Sequence, residues 1–208
     1  MDQRPDEEVL AAYRTGETGA LEVLVRRHHD DLMRFLFRLI GDRAGAEDVF
    51  QETFLQIHNS ADAFDASRRF KPWLFTIAAN KARDLLRKNS RRRTLDLSAP
   101  ISGGRGGGGG GGDGGAGPTF VDLMKVDVPQ PGDALTAAEQ ERKVQQAVLD
   151  MPPTLREVLL LAYFQKLSYN QIAETLQIPL GTVKSRLHAA VATFAKKWQA
   201  SSSEASTS

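Results

Sequence analysis

An unbroken run of seven glycines, Gly106–Gly112, set in the wider Gly103–Gly117 stretch, constrains this chain more than any other feature. Such a segment has no side chains to bury, so nothing offsets the entropy of ordering it; it reads as a flexible tether. Helical periodicity is missing from about Thr94 to Asp133 and strong on either side. The expected organisation is a unit at 1–93, a Gly-rich linker at 94–133, a second unit at 134–200 and a disordered Ser-rich tail at 201–208. A prior of roughly 100–200 residues per domain allows one or two domains in 208 residues, and the glycine break favours two small ones.

Both units read as helical. Leu21, Leu24, Val25, His28, Leu32, Phe35, Leu36 and Leu39 recur at helical spacing and stop at Gly41; His28 falls on that apolar face and reads as packing. A second helix begins near Asp42 with Ala46, Val49, Phe50 and Ile57 on its seam, and a third follows Pro72 with Trp73, Ile77 and Ala78. No stretch alternates with period two for long enough to suggest a strand. The fold class is all-α, two small helical domains.

Beyond the glycines, periodicity breaks at Pro152-Pro153 and restarts with Thr154-x-x-Glu157, a capping-box pattern ahead of the apolar Val158–Phe164. Ser168-x-x-Gln171 is a second such box. A turn holding Pro179 and Gly181 follows, then Val183, Leu187 and Val191 at i, i+4 and i+8. That spacing leaves Thr182, Lys184, Ser185, Arg186 and His188 on the other faces, free for phosphates and base edges. Two short helices across a tight turn, the second basic and polar outward, read as a helix-turn-helix.

Charge sharpens this. The chain as a whole is balanced at +1, but Arg68–Arg93 holds ten lysines and arginines against the single Asp84, a local +9 that leaves the remainder at −8. One patch attracts polyanion and the rest avoids it. There is no cysteine, hence no disulfide, thiolate metal site or cysteine nucleophile. No P-loop, HExxH or Gly-x-Ser-x-Gly is present, so no catalytic centre, metal, cofactor or small-molecule substrate is expected. The acidic amino terminus lacks a signal-peptide core and Val158–Phe164 is far short of the ~20 residues that span a bilayer, which together read as cytoplasmic.

Three blocks in order, AEDVFQETF at Ala46–Phe54, FKPWLFTIAANKARDLLRK at Phe70–Lys88 and the forty residues Met151–Ala190, closely resemble the extracytoplasmic-function (ECF) group of the bacterial sigma-70 family. The resemblance covers roughly Val9–Asn89 and Asp133–Trp198. It implies a promoter-specificity subunit built from sigma domains 2 and 4, with core RNA polymerase and promoter DNA as partners, an anti-sigma factor as its inhibitor, and a monomer when free or bound to its partner. By the same resemblance Asp48, Gln51, Glu52 and Phe54 dock on the polymerase. Asn80, Lys81, Arg83, Arg87 and Arg91 engage the melted minus-10 strand, and the preceding loop, about Asp62–Phe70, captures an extruded base, with Arg69 in reach and Phe64 or Phe70 as stacking surfaces. Thr182, Lys184, Ser185, Arg186 and His188 read the minus-35 element. A free-standing helix-turn-helix regulator with an amino-terminal sensing or dimerisation domain is the alternative, and the basic third helix argues against it. Three departures from the family pattern stand out: Gln177 occupies an interhelix turn where glycine is common, Ala189-Ala190 replace an Arg-bearing ending, and the glycine-rich linker is unusually long.

Overall fold

The computed structural model describes residues 2–96 and 137–205, and all regular structure among them is helical. The amino-terminal unit consists of α1 (Asp6–Arg14), α2 (Gly19–Ile40), α3 (Arg43–Ser60), a short 3-10 turn (Ala61–Ala63) and α4 (Phe70–Asp96). The carboxyl-terminal unit consists of α5 (Ala137–Leu149), α6 (Pro153–Tyr163), α7 (Tyr169–Leu176) and α8 (Leu180–Ala205). The expected linker lies outside the described residues, apart from 94–96, which complete α4. The last helix continues to Ala205, five residues into the expected tail, because no glycine or proline interrupts its ladder.

Helix α2 is the spine of the first unit. Its Leu24, His28, Leu32, Phe35, Leu36 and Leu39 are buried, and Gly41 ends it at φ 84°, donating its N–H to Phe37 O at 2.9 Å. A side chain at 41 would also meet Leu149 of α5, whose Cδ2 lies 2.9 Å from where a Cβ would sit. Asp42 then caps α3, accepting from Gly45 N at 2.8 Å. Helix α4 packs through Phe70, Leu74 and Phe75 and then through Ala78, Ala79 and Ala82, with Phe75 set edge-on to Phe35 at 5.1 Å. Each large side chain buried here contributes about 1.5–3 kcal/mol.

Helix α1 leaves no periodic signal in the sequence. Pro5 precedes it, Asp6, Glu7 and Glu8 fill its first turn, and Val9 and Leu10 are wholly buried. The acidic run suits a helix N-terminus but masks a two-residue apolar seam too short for periodicity to register.

In the second unit α6 contributes Val158, Leu159, Leu160 and Leu161 to the core, and α7 and α8 contribute Ile172, Leu176, Val183, Leu187 and Ala190. The box at Ser168 forms in full: its side chain accepts from Gln171 N, and the Gln171 side chain accepts from Ser168 N at 2.8 Å. The box read at Thr154 does not. Helix α6 starts at Pro153, which places Thr154 inside the first turn and turns Glu157 into the core. Gln177 takes the left-handed conformation at φ 54°, ψ 45°, the geometry for which glycine is usual.

The two units pack on each other, α2 against α5 and α6, and α4 against α7. Buried Arg156 joins them, donating from Nη1 to Leu39 O at 2.5 Å and from Nη2 to the carbonyls of Leu149 and, at 2.9 Å, Met151. One guanidinium thus satisfies carbonyls at the ends of α2 and α5.

Candidate polymerase and nucleic-acid interfaces

The outer face of α3 exposes Asp48, Gln51 and Glu52 side by side. Phe54 is 8% exposed and packs against Phe50 with the ring centroids 5.0 Å apart and the rings tilted at 52°, so it belongs to the core and is no surface anchor. The apolar residue on that face is its neighbour Leu55, 60% exposed. Alongside runs a cleft between α2 and α3 lined by Met33, Phe37 and Phe50 with His29, Glu47 and Gln51. The sequence carried this signal, since Leu55 breaks the buried seam that Phe54 continues.

The loop between α3 and α4 has a similar inversion. Phe64 and Phe70 are buried, with Phe64 against Trp73 at 4.8 Å and His28 against Phe70 at 5.4 Å. Neither ring is open to a base. They are the two pins between which Asp65, Ala66, Ser67, Arg68 and Arg69 lie exposed, and Asp65 folds that stretch into a turn by accepting from Ser67 N at 2.9 Å and Ser67 Oγ at 2.7 Å. Those two bonds hold the Asp65 carboxyl below the ordinary carboxylate range.

On α4, Asn80, Arg87 and Arg91 are exposed. Lys81 is half-buried and reaches back to Glu52 at 3.6 Å, tying the basic helix to the acidic face of α3. Arg83 points elsewhere. Its Nε lies 3.2 Å from Glu157 Oε2 in α6, while its Nε and Nη2 are buried without a hydrogen-bond partner.

Helix α8 exposes Lys184, Ser185 and His188 and half-buries Thr182 and Arg186. Arg186 also turns to Glu157, at 3.9 Å. One buried carboxylate therefore lies between an arginine from each basic helix. Burial pushes the Glu157 carboxyl up, and Arg83, Arg186 and Arg87 only partly counter it. Arg68 in the loop pairs with Glu174 of α7 at 2.8 Å, and Gln165 donates to Asp31 O at 3.4 Å, so the units meet at several polar points.

Residues 24–92 match the model of sigma-70 region 2, and residues 141–194 match that of sigma-70 region 4. The ECF RNA polymerase sigma factor SigW of Bacillus subtilis is 33% identical over 175 residues, which span 84% of this chain and 87% of SigW. The chain belongs to the ECF group of the sigma-70 family. It is a sigma factor of transcription initiation, and its partners are core RNA polymerase and promoter DNA. The fold agrees with two solved relatives. CnrH, in complex with the cytosolic domain of CnrY, superposes with a TM-score of 0.64 at 23% identity, covering 94% of this chain and 97% of that one. The sigma factor RpoE of Bartonella quintana, in complex with the anti-sigma factor NepR, gives 0.63 at 20% identity over 87% and 98%. Among the described residues of this sigma factor, no helix is long and apolar enough to cross a membrane.

Proposed function

We propose that this sigma factor docks on core polymerase through Asp48, Gln51, Glu52 and Leu55 of α3, takes up the minus-10 strand along Asn80, Arg87 and Arg91 of α4 with residues 65–69 of the loop, and reads the minus-35 element with Lys184, Ser185 and His188 of α8. It supplies recognition and no bond-making chemistry, and it works in the cytoplasm. The observation that carries this reading is the placement of both basic stripes and the acidic face on outward surfaces of separate helices, each backed by a buried seam. An amide can pair with a base edge, and guanidiniums hold phosphate.

The packed arrangement is a resting one. The two promoter elements lie roughly 25 base pairs apart, about 85 Å at about 3.4 Å per pair. Arg83 and Arg186 both lie within 4 Å of one carboxylate, so the units part when both elements are occupied. A closed form of this kind suits capture by an anti-sigma factor, the partner seen with the RpoE relative.

Replacing Asp48, Gln51 and Glu52 together with alanine tests the dock. All three are exposed, so helicity by circular dichroism should not change, while core affinity should fall by about 2–4 kcal/mol as a charged patch around an apolar anchor is lost. Holoenzyme assembly at wild-type affinity would move the dock elsewhere.

A further inference from the structure

Helix α1 lies outside the residues that match the region 2 model, which begin at 24, and no part of the proposed interfaces includes it. Yet it holds the α3–α4 connection at both ends. Tyr13 OH is hydrogen-bonded to His58 Nδ1 near the end of α3, with the two rings 6.1 Å apart. Arg14 donates from Nη2 to Asp62 O at 3.2 Å and from Nη1 to Phe64 O at 3.5 Å, and its Nε lies 3.7 Å from the Asp62 carboxylate. Glu7 Oε1 accepts from Phe70 N at 2.9 Å, at the first residue of α4. The exposed stretch 65–69 thus hangs between two backbone points, the carbonyl of Phe64 and the amide of Phe70, and α1 holds both.

Helix α1 is itself fixed. Val9 and Leu10 are fully buried, and Asp6 accepts from His28 Nε2 and Arg27 Nη1, each at 2.8 Å. The same two bonds, His28 first, hold the Asp6 carboxyl below the ordinary carboxylate range. His28 also packs on the Phe70 ring, so the anchor of α1 and the pin of the loop share one side chain.

We infer that Glu7 and Arg14 are positioning residues for capture of an extruded minus-10 base: they set the span and tilt of residues 65–69 without touching DNA. The physical basis is that a loop ordered before the strand arrives does not lose its freedom on binding, and a base pocket works only at fixed geometry. Toward the loop Glu7 acts as a hydrogen-bond acceptor for an amide, a role that a neutral carboxamide oxygen can also fill. Arg14 acts through a fork that reaches two carbonyls, which a lysine cannot reproduce. This assignment rests on the proposed capture role of the loop.

The test uses holoenzyme, full chain with core polymerase, on forked promoter DNA in which one minus-10 nucleotide at a time is made abasic. With wild type, an abasic nucleotide at the captured position should weaken binding about tenfold, the scale of one lost base contact. Glu7→Ala and Arg14→Ala should reduce that penalty to less than about twofold, at that position alone, with core affinity and the penalties at neighbouring positions unchanged. Glu7→Gln keeps an acceptor oxygen and should restore the penalty. Should Arg14→Ala fold poorly, the Glu7→Ala and Glu7→Gln pair still decides, because a merely structural loss would weaken every fork equally. A full penalty retained in Glu7→Ala, or equal weakening at all positions, overturns the assignment. A wild-type enzyme with no abasic penalty anywhere overturns the capture role of the loop, and the positioning role with it.

Discussion

Helices α4 and α8 both carry a basic stripe above a buried apolar seam, and they are seated differently. Helix α4 is pinned at its start by Phe70, Leu74 and Phe75, continues on alanines, and then exposes Arg87, Lys88 and Arg91, with Arg87 3.7 Å from Asp84; α8 is held by Val183, Leu187 and Ala190 against α5, α6 and α7. Each sends one arginine to Glu157, but Arg186 does so within its own unit and Arg83 across to the other. The same contact is internal support for one helix and a restraint on the placement of the other. Its quality differs too: Arg83 Nε and Nη2 are buried with no hydrogen-bond partner, so the cross-unit pair carries desolvation cost without full return.

The strongest way to break this comparison is Glu157→Ala, which leaves two guanidiniums facing each other without a counter-ion. A loss of about 3 kcal/mol in urea unfolding is expected, the low end for a buried pair because each arginine keeps about a third of its exposure. A loss below ~1 kcal/mol would reduce the cluster to a surface pair. The same residue has a pH signature of definite sign. Its carboxyl is raised above 4.5 in the folded protein, so its protonation favours folding: stability from this group is present below the unfolded value and is lost as pH rises through the folded one. Asp6 and Asp65 are lowered, so their contributions are present above 3.8 and fade only as pH falls below it. Glu157→Gln should flatten the change above 4.5 and leave the acid limb untouched.

Next in size is the contrast between the two arginines. Arg83→Ala should loosen the packed form, which Arg156 and the Arg68–Glu174 pair still join, seen as a modest rise in the radius of gyration in small-angle scattering with the unfolding midpoint of the second unit little moved. Arg186→Ala should keep the compact radius and lower that midpoint by the equivalent of about 1 kcal/mol of stability. Indistinguishable scattering and melting for the two variants would remove the asymmetry. The smallest effect concerns the turn that aims α8. Gln177→Gly should relieve the left-handed strain and stabilise the second unit by about 0.5–1 kcal/mol, less than the strain itself because glycine frees the unfolded chain. A drop in melting temperature would mean that the Gln177 side chain contributes more than its backbone costs.

Where the determinants are local, the sequence by itself determined this protein: the α2 seam and its stop at Gly41, the Asp42 cap, the complete box at Ser168 and Gln171, and the odd turn at Gln177 all follow from residues within a few positions of one another. The helix-turn-helix and the outward face of Lys184, Ser185 and His188 follow from i, i+4 spacing in the same way. Tertiary structure decided what spacing leaves open. Phe54, Phe64 and Phe70 resemble exposable aromatics until α2 and α4 cover them, and Thr154-x-x-Glu157 resembles a cap until Pro153 starts the helix and burial turns Glu157 toward Arg83. Helix α1 owes its place to bonds with residues from Arg27 to Phe70, none of them near it in sequence. A side chain's neighbours along a helix are set by geometry that every helix shares, whereas which face is covered, and by what charge, depends on partners that only the folded chain brings together.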